Sequence, residues 1–287
     1  QSSTLDNAQN LPDDYVKSLM SKPESWKRQF VYGIWDTSLL SDKAVFPIEY
    51  IQQASESVKT HLRTTIDGIQ IYEEPNSVSQ YQIGADPSEG IDDPSVIKCV
   101  NCFTGNETAS WAGRIPPDTF AEKIVAMGKL YNNAKLVLEM NGIGLATLTR
   151  LKDYNYPNIY VREEFDKIAK VMTQKLGWRT TPATKPLLIG HFQKLLGDNF
   201  VKISDEQTIQ EMKTFVYSDE VHKKGMGAES GFHDDRVIAI ALAYWQLEPQ
   251  KRGENLIIQP KEDRPQKELL HLEEIFAQQQ DEDWRQF

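Results

Sequence analysis

The stretch that decides the fold spans residues 81–90 and reads YQIGADPSEG. Its apolar first half has the pattern of a short buried strand, which ends at Asp86 just before a turn formed by Pro87 to Gly90. The Asp86 carboxylate is therefore expected to stand at the open end of a sheet. Other acids that reach the same edge would form a cluster with it.

A second apolar run, residues 135–139, reads KLVLE and ends in a carboxylate at Glu139. The residues that follow, MNGIG, stop a strand and open a helix. A helix also separates the two runs, so strand, helix and strand form a right-handed crossover whose strands lie parallel and adjacent. This arrangement delivers Asp86 and Glu139 to the same edge of the sheet.

The third acidic segment, residues 231–236, reads GFHDDR and opens the most apolar helix of the chain, residues 237–245. If this helix packs on the sheet, Asp234 and Asp235 join the other two acids. Such a cluster is stable only when cations neutralise it.

Helical spacing favours Asp234 over Asp235 as a ligand. Asp234 shares a face with apolar neighbours that should turn toward the sheet, whereas Asp235 points about a third of a turn away. Asp92, which follows Asp86 closely, is a candidate accessory acid, and His233 is a candidate for orienting a carboxylate or a phosphate. A calcium loop starting at Asp86 is excluded because its sixth and twelfth positions are both isoleucine.

Length and composition indicate one large domain with appendages. The chain has 287 residues, of which 39% are hydrophobic and 10% aromatic, an ordinary globular mixture. No apolar run approaches the roughly 18 residues of a membrane span, and no signal peptide is visible. The chain starts at Gln1 without an initiator methionine, and we expect a soluble fragment of a longer protein. Cys99 and Cys102 form a lone C-x-x-C, typical of ordinary residues in a reducing compartment.

The remaining patterns divide the chain into three parts. Residues 1–40 are expected to be a helical linker, residues 41–248 a single α/β domain, and residues 249–287 a polar tail with a short helix at 268–278. Within the domain, residues 95–103 and 108–115 predict a hairpin. A helix is predicted to follow, with Asp118 as its N-cap and one apolar face toward the sheet formed by Phe120, Ile124, Met127 and Tyr131.

The charge distribution is uneven. The net charge of −10 argues against a protein that coats nucleic acid through its overall field. Residues 150–194, however, contain nine Lys/Arg against four Asp/Glu, so this segment carries +5 and the remainder −15. We interpret it as a projecting basic hairpin or loop that contacts DNA phosphates; a solvated loop without a role is the alternative. Its candidate DNA-binding residues are Arg150, Lys152, Arg162, Lys170, Lys175, Arg179 and Lys185.

The order of these elements resembles that of the ribonuclease H-like fold, a mixed central sheet flanked by helices. The three acidic segments, DPSEG at 86–90, LEMN at 138–141 and GFHDDRV at 231–237, look like the acidic motifs of the nuclease domain of the phage terminase large subunit. The sequence GIWD at 33–36 is similar to the segment that joins the ATPase domain of that family to its nuclease domain. The resemblance therefore implies that residues 1–40 are a helical linker or the end of a preceding ATPase region. The resemblance covers roughly residues 30–248. Nothing in the chain matches the phosphate-binding pattern G-x-x-x-x-G-K-[ST] of the motor half.

The resemblance implies a metal-dependent endonuclease that cuts double-stranded DNA with low sequence specificity during viral genome packaging. Two Mg²⁺ or Mn²⁺ ions would be held by carboxylates, with Asp86 between both ions, Glu139 on one and Asp234, or Asp235, on the other. The expected partners of the full-length protein are the portal and the small terminase subunit, in the cytoplasm of the infected host cell. A Holliday-junction resolvase or transposase-like nuclease of the same fold is an alternative, as is a non-catalytic DNA-gripping or assembly module.

Overall fold

The computed structural model describes residues 10–21, 27, 31, 43–166, 170–218, 225–249 and 275. Its helices are α1 (Asp13–Met20), α2 (Ile48–Ser55), α3 (Pro117–Leu130), α4 (Gly144–Asp153), α5 (Thr184–Gly197), α6 (Glu206–Lys213) and α7 (Asp235–Ala243). Its strands are β1 (Arg63–Thr64), β2 (Gln70–Ile71), β3 (Tyr81–Asp86), β4 (Ser95–Asn101), β5 (Glu107–Gly113), β6 (Lys135–Leu138), β7 (Val161–Asp166), β8 (Val171–Leu176), β9 (Phe215–Tyr217) and β10 (Met226–Ala228).

Six strands form the central sheet in the order β1-β2-β5-β4-β3-β6. Neighbours are antiparallel except for β3 and β6, which run parallel and place Ala85 opposite Leu138. The predicted crossover and the predicted hairpin of β4 and β5 are both confirmed. Because β3 and β6 are in register, the residues that follow Ala85 and Leu138 leave the sheet side by side.

Helix α3 connects β5 to β6 and covers one face of the sheet. It begins at Pro117 with Pro116 at the N-cap, so the predicted N-cap at Asp118 is wrong. Proline suits the first helical position, where the backbone N–H would be unpaired anyway, and Asp118 lies in the first turn, where its charge suits the helix dipole. The predicted sheet-facing residues are all fully buried: Phe120, Ile124, Met127 and Tyr131.

Helix α7 packs on the opposite face, and its residues 237–243 are all buried. A helix that is apolar on every side must lie inside the protein. The closest approach is at Gly84, where an added Cβ would lie only 2.0 Å from the Ala239 carbonyl oxygen and 2.3 Å from the Ala243 nitrogen. Gly84 therefore allows α7 to lie directly against β3, with the start of the helix near Asp86.

The segment after α4 extends the sheet beyond β6. Ile159 bridges Leu136 and Trp178 bridges Glu139, both in parallel orientation. Between these two bridges, β7 and β8 form an antiparallel hairpin that pairs Val161 with Leu176. The predicted hairpin insertion at the sheet edge is confirmed.

Several predictions concern residues outside the described part of the chain. These are the segment 33–36, most of the linker 1–40, and the tail beyond residue 249 with its helix at 268–278, of which only Ile275 is described. None of the helices in the described ranges is long and apolar enough to cross a membrane. Cys99 is buried in β4 and Cys102 is partly buried, and the two do not form a disulfide.

Candidate active site

Two carboxylates meet where the parallel strands β3 and β6 end. Asp86 is the last residue of β3, and Glu139 follows β6 directly and donates its backbone N–H to the Ala85 carbonyl at 2.9 Å. Burial raises the pKa of Asp86 well above its usual range, and the neighbouring charge of Glu139 raises it further. A cation bound between the two groups would relieve this repulsion.

Asn141 holds the Glu139 carboxylate from the loop after β6. Its side-chain Nδ2 donates to Glu139 Oε1 at 3.1 Å and to the Thr180 carbonyl at 3.0 Å. The loop turns tightly here, because a Cβ at Gly144 would lie 2.2 Å from the Glu139 carbonyl oxygen. The acidic motif LEMN contains Asn141, but its contact with Thr180 comes from a distant part of the chain and has no sequence signal.

A histidine joins two further acids at the start of α7. His233 Nδ1 lies 2.9 Å from Asp93 Oδ1 and 3.6 Å from Asp235 Oδ2. One ligand atom from each of the three residues lies within 4.8 Å of the others, a spacing that could hold a metal ion. Burial raises the pKa of Asp235 to about 7, with further contributions from the charges of Asp93 and Glu211. Asp235 in turn raises the pKa of Asp86, so the two groups of acids interact.

The loop after β3 brings Asp93, and not the predicted Asp92, to this histidine. Ser88 Oγ donates to the Asp93 carbonyl at 2.7 Å, and Gly90 adopts a φ of +76° that bends the loop back. Asp92 is exposed, and its backbone carbonyl accepts a hydrogen bond from Arg114 Nε at 3.0 Å. Spacing from Asp86 could not separate two adjacent aspartates, because the loop conformation decides which of them turns toward α7.

Asp234 occupies the N-cap position of α7, with φ −126°, and the helix begins at Asp235. Asp234 therefore lies outside the helix. The sequence-based preference for Asp234 over Asp235 assumed that both residues were helical, and this assumption is wrong. Its Oδ2 accepts a hydrogen bond from Lys185 Nζ at 3.0 Å. Asp235 contributes more than Asp234 to the raised pKa of Asp86. The other three predicted acids, Glu139, Asp234 and Asp235, all lie near enough to Asp86 to raise its pKa. The roles of the four acids as metal ligands stay a prediction.

Comparison with known proteins gives solved structures alone. No protein-family model and no curated protein matches the chain. The large terminase nuclease from thermophilic phage G20c, solved with bound magnesium, aligns with a TM-score of 0.59 over 72% of this chain and 100% of that chain, at 20% identity. The large terminase nuclease domain of Thermus phage P74-26 aligns with a TM-score of 0.54 over 70% of this chain and 97% of that chain, at 19% identity. This chain has the fold of a phage large terminase nuclease domain. The predicted ribonuclease H-like class is thereby confirmed.

The G20c nuclease was also solved with bound cobalt, and this form aligns equally well, with a TM-score of 0.59, 20% identity and coverage of 72% of this chain and 100% of that chain. That nuclease therefore binds magnesium in one structure and cobalt in another. For this chain the similarity establishes the terminase nuclease fold alone.

The terminase nuclease fold places Lys185 inside the acidic site and not on the projecting hairpin. Lys185 lies in the first turn of α5, where its Nζ bonds Asp234 and lies 5.4 Å from the centre of the Phe215 ring. A Cβ at Gly227 would lie 3.3 Å from Asp234 Oδ2, so β10 closes over this ion pair. The predicted location of Lys185 on the projecting segment is wrong, because it lies on α5 and pairs with Asp234. Its contact with DNA stays a prediction.

Arg162 stabilises the base of the hairpin. Its Nη1 donates to the carbonyls of Leu176 and Gly177 at 2.6 and 2.9 Å, and Nη2 pairs with Glu164 at 3.1 Å. Burial lowers the pKa of Arg162. These internal contacts make Arg162 a weaker candidate for phosphate binding, and its assignment to DNA binding stays a prediction.

The other predicted cations are divided between two elements. Lys170 and Arg179 are exposed at the hairpin turn and just after β8, and Lys175 is partly exposed on β8. Arg179 pairs with Glu164 at 3.3 Å, which shows that the hairpin partly neutralises its own charge. Arg150 and Lys152 lie instead on α4, where Arg150 pairs with Asp153 at 3.3 Å and stacks over Tyr154 at 4.9 Å.

Proposed function

We propose that this chain is a metal-dependent endonuclease that hydrolyses phosphodiester bonds of double-stranded DNA, with low sequence specificity, during viral genome packaging. The observation that carries the proposal is the meeting of Asp86 and Glu139 at the ends of adjacent parallel strands, with Asp235 delivered to them by α7. The similarity to phage terminase nuclease structures supports the same activity.

The residues present fit two divalent ions of the Mg²⁺ or Mn²⁺ type. Asp86, Glu139 and Asp235 offer only oxygen ligands, which such hard cations prefer. The raised pKa values of Asp86 and Asp235 show that their negative charges are incompletely compensated within the protein. Bound ions would supply a nucleophilic water at neutral pH and charge stabilisation of the leaving oxygen. Asp93 and His233 complete the proposed ligand set on the α7 side.

The side chains around these acids position and compensate them. Asn141 fixes the Glu139 carboxylate by donating to its Oε1, and His233 bridges Asp93 and Asp235. Lys185 neutralises Asp234, which leaves Asp235 as the stronger candidate ligand of the pair. Once a substrate phosphate approaches, the Lys185 ammonium group is placed to share its charge between Asp234 and a phosphate oxygen.

DNA in this proposal is held through its backbone by cations that are exposed or partly exposed: Arg150, Lys152, Lys170, Lys175 and Arg179. Contacts of this kind neutralise phosphates without reading bases, which agrees with low sequence specificity. We also propose residues 41–248 as the nuclease unit, and the portal and small terminase subunit as partners in a longer protein working in the cytoplasm of an infected host cell.

The first test is cleavage of supercoiled plasmid. Nicked and linear products should form with Mg²⁺ or Mn²⁺ and be absent with EDTA. Asp86→Asn should reduce the rate by more than the roughly 10–100-fold that removal of an outer-shell metal partner costs. Asp198→Asn, at the exposed end of α5, is the matched control and should cleave like the wild type. Full cleavage in EDTA or by Asp86→Asn would overturn the proposal.

A non-catalytic DNA-gripping module is the second candidate, and the Lys185–Asp234 pair favours it. With Lys185 paired to Asp234, part of the cluster is compensated by a protein group alone. In that case the chain should bind DNA equally well with EDTA and with Mg²⁺, and should cleave neither plasmid nor a four-way junction. Cleavage of the junction but not the plasmid would indicate a resolvase-like activity.

A further inference from the structure

A chain of buried ion pairs lies beside the acidic site, on the same face of the sheet as α7. Lys98 of β4 is 1% exposed, and its Nζ contacts Glu107 Oε1 at 2.8 Å and Asp205 Oδ2 at 2.6 Å. Glu107 Oε2 also accepts from the backbone nitrogens of Ser204 and Asp205 at 2.7 and 2.9 Å. Asp205 is the N-cap of α6 and accepts from the Gln207 nitrogen. These contacts anchor the start of α6 to β4 and β5.

The chain of ion pairs ends at Glu211, which binds the first turn of α7. Glu211, near the end of α6, accepts from the Arg236 backbone nitrogen at 2.8 Å and from Arg236 Nη1 at 2.9 Å. Arg236 Nε also lies 3.5 Å from Asp205 Oδ2. The first N–H groups of a helix need an acceptor from outside the helix. Because the Asp234 carboxylate at the N-cap is turned to Lys185, Glu211 supplies an acceptor from a neighbouring helix.

The contacts of Glu211 with Arg236 lie directly beside Asp235. Arg236 directly follows Asp235, so the place where Glu211 holds the backbone determines where the Asp235 carboxylate stands. A buried ion pair is weak support for stability, since apolar residues of the same volume are often as stabilising. It can, however, impose a single geometry, and ligands of a functional site must be held to within about 0.5 Å.

We propose that Glu211 is a positioning residue for Asp235, acting through Arg236, and that the Lys98–Glu107–Asp205 pairs hold the helix from which Glu211 acts. The proposal rests on the proposed function, because it assigns Asp235 to metal binding. It extends the site to α6, an element outside the three acidic segments of the sequence.

The test compares Glu211→Gln with wild type and with Glu206→Gln in the full chain. Glu206 makes the matched control because it lies on the same helix, is exposed, and undergoes the same substitution. Mn²⁺ binding is measured by calorimetry without DNA, and cleavage is measured against Mg²⁺ concentration. Glu211→Gln should weaken Mn²⁺ binding about 10-fold and raise the Mg²⁺ requirement in parallel, as removal of an outer-shell partner does. Glu206→Gln should leave both unchanged.

A second pair of variants separates positioning from stability. Arg236→Lys keeps the positive charge and the backbone bond to Glu211 but lacks the guanidinium group that contacts both Glu211 and Asp205. An intermediate decrease of Mn²⁺ affinity is therefore expected even if Glu211→Gln fails to fold. The double variant Glu211→Gln/Arg236→Gln should bind Mn²⁺ no more weakly than Glu211→Gln, since both residues act along one route. Wild-type Mn²⁺ affinity in Glu211→Gln, or in Arg236→Lys, would overturn the inference.

These outcomes differ from failure of the proposed function. A wild-type chain that binds Mn²⁺ but cuts no DNA would refute the nuclease proposal, and the Mn²⁺ affinities would still decide the role of Glu211. A wild-type chain that cuts DNA, with Glu211→Gln equal to it in Mn²⁺ affinity and Mg²⁺ requirement, would refute the positioning role alone. A wild-type chain that binds no Mn²⁺ would refute both.

Discussion

At the residue scale, the pKa values of carboxylates are shifted in opposite directions in the candidate site and in the neighbouring ion pairs. Asp235 lies among other acids, and burial with these charges raises its pKa to about 7. Burial would raise the pKa of Asp205 too, but Lys98 and Arg236 outweigh it and lower the pKa to about 2. Asp205 therefore stabilises the fold as a carboxylate, whereas ionised Asp235 costs stability until a cation binds. Such opposed environments are typical of a functional site next to its structural support.

This contrast predicts how the metal-free protein responds to pH. Between about pH 4 and pH 7 folded Asp235 keeps its proton while the unfolded chain has released it, so stability falls as pH rises and stays lower above pH 7. Asp235→Asn cannot ionise and should be more stable than wild type by about 2–4 kcal/mol at pH 8 in EDTA. Thermal unfolding should show the difference at pH 8 and little at pH 4. Equal differences at both pH values would contradict the raised pKa.

Adjacent aspartates offer a second residue-scale prediction. The side chain of Asp93 contacts His233, whereas Asp92 uses its backbone carbonyl to accept a hydrogen bond from Arg114. Asp93→Asn should lower Mg²⁺-dependent cleavage roughly 10-fold or more, because it removes a ligand or its outer-shell partner. Asp92→Asn carries the same substitution one residue away and should cleave within about twofold of wild type. Plasmid cleavage rates provide the measurement, and the reverse ranking would restore Asp92 as the accessory acid.

At the element scale, the site depends on how closely α7 approaches β3. Gly84 is the point of contact, and α7 presents Ala239 and Ala243 there, so small side chains on both elements let the backbones touch. The distance between the strand end and the helix start follows from this contact. The acids on the two elements can therefore interact only if the contact is maintained.

Gly84→Ala should accordingly disturb both stability and the site. The added Cβ would lie 2.0 Å from a backbone oxygen, so α7 must move, which costs about 1–3 kcal/mol. Cleavage should fall further than stability predicts, because Asp235 moves with the helix. Gly190→Ala in α5 is the control: no described atom lies within 4 Å of a Cβ there, and alanine should stabilise the helix by roughly 0.5–1 kcal/mol. Urea unfolding measures both, and an unaltered Gly84→Ala protein would refute the contact.

At the scale of the whole molecule, charge is distributed unevenly, and the proposed DNA path follows its positive part. Residues 150–194 carry +5 against −15 elsewhere. The structure weakens the simple picture of one basic hairpin, since β7 itself carries Glu163, Glu164 and Asp166. The exposed candidate DNA-binding residues are Lys170 on the hairpin turn, Arg179 after β8 and Lys152 on α4. The proposed DNA path joins these elements.

Charge reversal at Lys170 and Arg179 should therefore weaken DNA binding to a similar degree for unrelated sequences. Removing one phosphate-binding cation should lower the slope of log affinity against log salt by about 0.9. Lys129→Glu, on the exposed surface of α3 and outside the set of candidate DNA-binding residues, reverses one charge and should have little effect. Binding is measured by fluorescence anisotropy at several salt concentrations in EDTA. An unchanged slope in the double variant would place the DNA elsewhere.

The amino-acid sequence by itself determined the sheet and two of its acids. Asp86 and Glu139 each end a short apolar strand, and the helix between these strands makes them parallel neighbours, so local patterns suffice to bring the two carboxylates together. Only the tertiary structure shows that Asp93 contacts His233 and that α7 begins at Asp235, because a loop conformation and the first residue of a helix depend on what packs against them. The tertiary structure also shows that Arg162 bonds the backbone of the hairpin and that Lys185 pairs with Asp234. The contacts of Glu211 with Arg236, and of Lys98 with Asp205, join residues far apart in the chain, and no local periodicity encodes such pairs.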